Sequence, residues 1–316
     1  MGKQEKERKR AGQQARSSSA LDTDSIRSKP KAKFGEAFEP RQISWSSCDD
    51  IGIVLQKIGV KPIVPGFYDQ PAFLQVERSN PHMLELYADY VECQTYSLEY
   101  LERAGLMIHK AADYLYTELV VDGRLGACID ASLTLSRFLE RLGIWNYVVK
   151  GALTYLFPDE LKIPKRSIAP LMLSDNPANT GHVWVVAPPF KVVDVTASRQ
   201  SLGEKLAQQE LDGYVVAYNG QKATADVDDL ADRDYQELFV HQNKRLPILL
   251  DLYAQNPTLK ANIEKYGSLS VPLGRVGLKY IATAITAPNA PLEDMENLSL
   301  SGRFPRQLFE EFIAAA

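Results

Sequence analysis

Cys128 follows Gly126-Ala127 directly and opens a stretch in which Leu135, Phe138, Leu139 and Leu142 recur at i, i+3, i+4 and i+7 before Gly143. A thiol at the first turn of a helix feels the positive end of the helix dipole, which favours the nucleophilic thiolate. The unpaired N–H groups of that turn can receive a developing oxyanion. His182 begins the apolar run HVWVVA, with Trp184 on the same strand face, and Asp194 lies in the next run, KVVDV, beyond Pro188-Pro189. An odd-numbered turn centred on Pro188 sets His182 opposite Asp194, with Cβ atoms roughly 4.5–5.5 Å apart. A two-residue turn sets them on opposite faces, so the register decides. Each residue alone has an ordinary structural reading: a small buried cysteine, a satisfied edge histidine, an exposed aspartate. Together they supply a nucleophile, a base that takes and returns its proton, and a group that fixes the tautomer of that base.

Several elements must position these residues. Residues 1–40, with Ser17-Ser18-Ser19 and little apolar periodicity, read as a disordered basic leader. Residues about 41–80, broken by Pro62, Pro65, Gly66 and Pro71, read as loops and short elements. Pro81 to Val121 is helical in pattern and ends in the glycine-bearing segment before Cys128. Strands are expected at 146–155, 182–187, 191–195 and 214–218, with a long polar loop over 157–181 that would cover a cleft. Residues 226–316 read as a helical C-terminal region ending in an amphipathic segment at Arg306–Ile313.

The stretches GRLGACIDASLTLSRFLERLGI (Gly123–Ile144), NYVVKG (Asn146–Gly151), GHVWVV (Gly181–Val186) and KVVDVTA (Lys191–Ala197) resemble the transglutaminase-like cysteine proteins, papain-like in their Cys-His-Asp order. The resemblance covers roughly Gly123–Ala197, a quarter of the chain. It implies an α+β fold in which a helix with Cys at its N-terminus packs on an antiparallel sheet carrying His and Asp. It places that catalytic domain at residues 41–225, with Cys128 as nucleophile, His182 as general base and then acid, and Asp194 as orienter. Gly126, Gly181 and Trp184 would line the substrate. The resemblance implies thiol-dependent acyl transfer without a cofactor, on a protein or peptide substrate. Hydrolysis of an amide is favoured over transamidation, deamidation or acyl transfer to an amine, because no second, amine-binding site is evident. Ala127 departs from the polar or acidic residue common before the cysteine. Tyr114 or Tyr116 could be the second oxyanion donor, and spacing does not choose between them.

Charge narrows the partners. The 316 residues carry a net charge of −4, split between about +6 over residues 1–33 and −10 over the rest. An acidic body argues against nucleic acid as a partner, while the basic arm (Lys6, Arg8, Lys9, Arg10) could meet an acidic one. No apolar run suits a membrane span or a secretory signal. Three widely spaced cysteines argue for a reducing compartment, the cytoplasm, and against disulfides or a thiolate zinc site. Cys48 and Cys93 read as inert, His82 and His241 as structural or exposed, and His109 as a helix-face residue. The cluster Asp226, Asp228, Asp229, Asp232 and Asp234 lacks the glycine and closing glutamate of a calcium loop and reads as a solvated face. No nucleotide-binding fingerprint occurs, and no metal site is indicated. The alternative to an enzyme is a peptide-binding module on the same fold with an idle triad. A toxin or defence effector delivered by the basic tail is a lesser possibility, with no direct support in the sequence.

Overall fold

A computed structural model describes residues 48–80, 82–171, 181–203, 205–242 and 247–315. The expected leader at 1–40 lies outside the described residues. Among the described residues three helices come first: α1 (Cys48–Lys57), α2 (Pro71–Glu77) and α3 (Met83–Cys93), with a 3₁₀ turn at Phe67–Asp69. Within the segment expected as loops and short elements, the described residues 48–80 hold two short helices and this turn, joined by loops. Cys48 and Cys93 are joined by a disulfide that ties the start of α1 to the end of α3. This corrects the reading of both cysteines as inert, and it removes the argument from cysteine spacing for a reducing compartment. The two residues are distant in sequence but share one packed layer, which spacing alone does not reveal.

Helix α4 (Leu98–Asp122) starts at Ser97, whose hydroxyl accepts from Tyr100 N. It stops at Gly123, where a φ of +77° suits a residue without Cβ. Helix α5 (Cys128–Arg141) follows and buries Ala131, Leu135, Phe138 and Leu139 in one core with Ile108, Ala112, Leu115 and Leu119 of α4. The strands are β1 (Tyr147–Leu156), β2 (Arg166–Ile168), β3 (His182–Ala187) and β4 (Phe190–Asp194). After α6 (Lys205–Gln209) come β5 (Val215–Ala217), β6 (Gln221–Lys222), α7 (Val227–Leu230), α8 (Arg233–Gln242), α9 (Ile248–Gln255) and α10 (Pro257–Tyr266). The chain closes with β7 (Ser268–Leu273), β8 (Val276–Thr286) and α11 (Pro305–Ala315).

These strands form one antiparallel sheet in the order β5-β4-β3-β1-β8-β7-β6, with β2 pairing β1. The fold is α+β, as expected. The helical reading of residues 226–316 is corrected: β7 and β8 lie inside this sheet, and β8 pairs with β1 at its centre. The two faces are covered differently. Tyr147, Val149, Leu153, Trp184, Val192 and Leu278 share a core with Ile51, Phe73 and Tyr87 of α1–α3. Val148, Val183, Val185 and Val193 pack against α4, α5 and α11. Alternation along β1 and β3 divides the two cores residue by residue. No helix among the described residues is long and apolar enough to cross a membrane.

Candidate functional site

The β3–β4 hairpin turns at Pro188-Pro189, with Ala187 paired to Phe190. That two-residue turn alone would part His182 from Asp194. An irregularity between Val185 and Ala187 slips the register by one residue, so that Val185 pairs with Val193. Continued along the strands, this register sets Asp194 across from Trp184 and His182 diagonal to it on the same face. Of the two registers left open, neither holds unmodified: the turn has two residues, yet the irregularity returns the pair to one face as diagonal neighbours, still within side-chain reach. His182 Nε2 and Asp194 Oδ2 are 2.7 Å apart, and both residues are 0% exposed.

Asp194 is held on both oxygens. Its Oδ1 accepts from Thr196 N at 2.8 Å and from Thr196 Oγ1 at 2.9 Å, the local turn that an Asp-x-Thr sequence favours. Its Oδ2 also accepts from the Tyr280 hydroxyl of β8 at 2.9 Å. Burial alone would push its carboxyl up, but His182 and Thr196 outweigh this and leave it below its ordinary value. For His182, burial alone would lower the imidazolium. The Asp194 charge and then the Cys128 thiol overcome burial and push it up to about 10. Nδ1 of His182 is buried without a well-formed hydrogen bond. With Nε2 taken by Asp194, it is the ring nitrogen left to serve the thiol.

Cys128 begins α5, as expected, and is 5% exposed. Ala127, before it, offers no side-chain cap, so the first-turn amides keep their anion-receiving character. The turn into α5 is fixed at Gly126, whose φ is +71° and whose N–H donates to Arg199 O at 2.8 Å. That amide is therefore engaged within the chain. Trp184 is buried, stacks on His182 with ring centroids 6.3 Å apart, and meets Tyr280 edge-on at 5.2 Å. It forms the wall behind the imidazole. Gly181 precedes His182 at φ +78°, and a Cβ there would lie 2.6 Å from Gly151 O. Gly151 itself pairs with His182 across β1 and β3, and a Cβ there would sit 2.9 Å from the Trp184 ring. The missing side chain makes the room in which that ring stacks.

Tyr114 and Tyr116 are not at the triad. The Tyr114 hydroxyl donates to Glu311 and its ring packs on Phe312 of α11, while Tyr116 donates to Asp212 and accepts from Gly213 N. The phenols that do approach are Tyr280, already bound to Asp194, and Tyr155 of β1, which donates to Ala197 O at 2.8 Å and feels the charges of Asp194 and Cys128. Neither Tyr155 nor Tyr280 was singled out from sequence. The signal for Tyr280 was the alternation of Leu278, Tyr280 and Ala282 in a β-branched run.

The remaining candidates resolve as structure. His109 meets Phe190 edge-on at 5.1 Å, and His82 Nδ1 lies 2.8 Å from Glu85. The His241 side chain lies outside the described residues. The acidic cluster is not simply a solvated face. Asp229 is buried, accepts from Thr154 Oγ1 at 2.6 Å and pairs with Lys279 at 2.5 Å, while Lys165 meets Asp226 and Asp228. The loop expected over 157–181 carries β2, and residues 172–180 lie outside the described residues. Among the described residues no group of three or more His, Cys, Asp or Glu is arranged to hold a metal ion. Compared with models of known protein families, with curated proteins and with solved structures, the chain matches none.

Proposed function

We propose that this chain is a thiol-dependent acyl-transfer enzyme with a transglutaminase-like core, acting on an amide bond of a protein or peptide. Hydrolysis is the favoured outcome. One observation carries the reading: a buried imidazole is bound through Nε2 to a buried carboxylate, and its other nitrogen is left for a thiol at a helix N-terminus. In this reaction His182 takes the Cys128 proton and the thiolate attacks the carbonyl carbon. The first-turn amides of α5 receive the oxyanion. His182 returns the proton to the leaving amine, which departs as the C–N bond breaks and leaves a thioester on Cys128. His182 then takes a proton from water, whose oxygen attacks the thioester. The acid leaves, and the proton returns to sulfur. Asp194 holds the ring and its Nε2–H throughout.

The test is alkylation of Cys128 by iodoacetamide at pH 7, followed by peptide mass spectrometry. His182→Ala is expected to slow it by about tenfold or more while the circular dichroism spectrum is unchanged. Equal rates in wild type and His182→Ala would overturn the triad. With a peptide substrate in hand, Cys128→Ala and His182→Ala each abolish turnover. The near-complete burial of Cys128 favours a second reading, a peptide-binding module whose thiol is idle. Under it, Cys128→Ala retains peptide binding and biological activity.

A further inference from the structure

Asp194 is bound from an element to which neither the thiol nor the imidazole belongs. The Tyr280 hydroxyl on β8 and His182 Nε2 on β3 share one carboxylate oxygen, Oδ2, at 2.9 and 2.7 Å. The other oxygen is filled by the two donors of Thr196. The Tyr280 ring is buried and held edge-on to Trp184, so its hydroxyl has little freedom to turn elsewhere.

We propose that Tyr280 is a positioning residue of the site: by sharing Asp194 Oδ2 with His182, its hydroxyl sets how tightly the imidazole keeps its proton. This rests on the acyl-transfer reading of Cys128, His182 and Asp194. A carboxylate oxygen that accepts two hydrogen bonds places less of its charge on each donor than one that accepts a single bond. Without the phenol, Asp194 turns more of its charge to the ring. The imidazolium is then held more firmly and protonates a leaving amine more slowly. The ring meets Cys128 from α5, Asp194 from β4, Trp184 of its own strand and Tyr280 from β8, while Thr196 binds Asp194 and Tyr155 of β1 feels the charges of Asp194 and Cys128. Burial, and next the Asp194 charge, push both phenols above their ordinary range, so each stays a neutral donor as His182 titrates.

The full chain labelled with ¹⁵N-histidine gives a direct readout, because only four histidines are present. His182→Gln assigns the His182 ring resonances, and their pH titration is followed in each variant. Tyr280→Phe is expected to raise the His182 midpoint by about 0.5 pH unit or more. A midpoint unmoved in folded Tyr280→Phe overturns the proposal and leaves Tyr280 as packing. Should Tyr280→Phe not fold, 3-fluorotyrosine installed at position 280 keeps the shape and strengthens the donor. It is then expected to lower the midpoint, and an unchanged value overturns the proposal equally. Asp194→Asn separates the two readings. If it leaves the His182 titration untouched, the triad itself fails. If it lowers the midpoint while both position-280 variants do nothing, only the role of Tyr280 fails.

Discussion

His182 and Asp194 are both buried, and their titrations move in opposite directions chiefly because each is the other's counter-ion at 2.7 Å. The consequence for stability has a definite sign. The folded His182 midpoint, about 10, lies above its ordinary value of about 6.5, so this group's contribution is complete below pH 6.5. It is lost as pH rises from 6.5 through 10. Asp194 is depressed, so its contribution is complete above its ordinary value of about 3.9 and is lost as pH falls through the lower folded one. Melting temperatures between pH 5 and 10.5 are therefore expected to fall on the alkaline side in the wild type. Asp194→Asn should melt lower at pH 6 and lose most of this alkaline dependence, because the carboxylate that raises His182 is gone. A parallel decline in the two proteins would show that other groups control the alkaline limb. Thr196 offers a smaller test. Thr196→Val removes one donor to Oδ1 but keeps the backbone one, and chemical denaturation should report a loss of about 1–2 kcal/mol.

At the scale of elements, the site depends on how β1 receives its neighbours. The irregularity in β1 at Lys150/Gly151 lies where Gly151 faces His182 on one side and Ala282 on the other. A Cβ at Gly151 would lie 1.9 Å from Ile281 O as well as against Trp184, so the cost falls on backbone as much as side chain. Gly151→Ala is expected to destabilise the fold by about 3 kcal/mol or more, read from the shift in urea midpoint at constant slope. A loss under 1 kcal/mol would mean that the β1–β8 pairing yields there easily. What was legible in the sequence follows from the same physics. The strands at 147–156, 182–187 and 190–194 announced themselves as β-branched and aromatic runs buried on both faces, and the helix from Cys128 by an apolar period that matches its burial. Strands β7 and β8 did not, because Ser268–Thr286 mixes Pro272, Gly274 and Gly277 with polar residues and sits between two helical stretches. Missing β8 meant missing Tyr280. The register at β3–β4 was equally hidden, since a bulge leaves no compositional mark.

Across the whole molecule, the helix that carries Cys128 at its start is anchored at its far end. Arg137 of α5 donates to Asp69, Glu140, Pro288 O and Ala290 O, and Tyr68 donates to Glu140. One guanidinium thus joins the N-terminal helical layer, α5 and the segment after β8. Truncating it leaves the buried Glu140 without its cation, and Arg137→Ala is expected to cost about 3–5 kcal/mol. The disulfide constrains the same layer by a different route, since it closes a loop with a sequence separation of 45 within α1–α3. On the chain-entropy argument such a loop stabilises by about 4 kcal/mol at most, by restricting the unfolded chain. Removing it as Cys48→Ser/Cys93→Ser should lower the melting temperature by several degrees and leave iodoacetamide labelling of Cys128 unchanged, because the bond lies outside the groups that face His182. Thiol counting decides whether the bond forms at all. The chain unfolded in denaturant is expected to expose one reactive thiol without reductant and three with it. Three thiols without reductant would show that the N-terminal layer is held by packing and the Arg137 network alone.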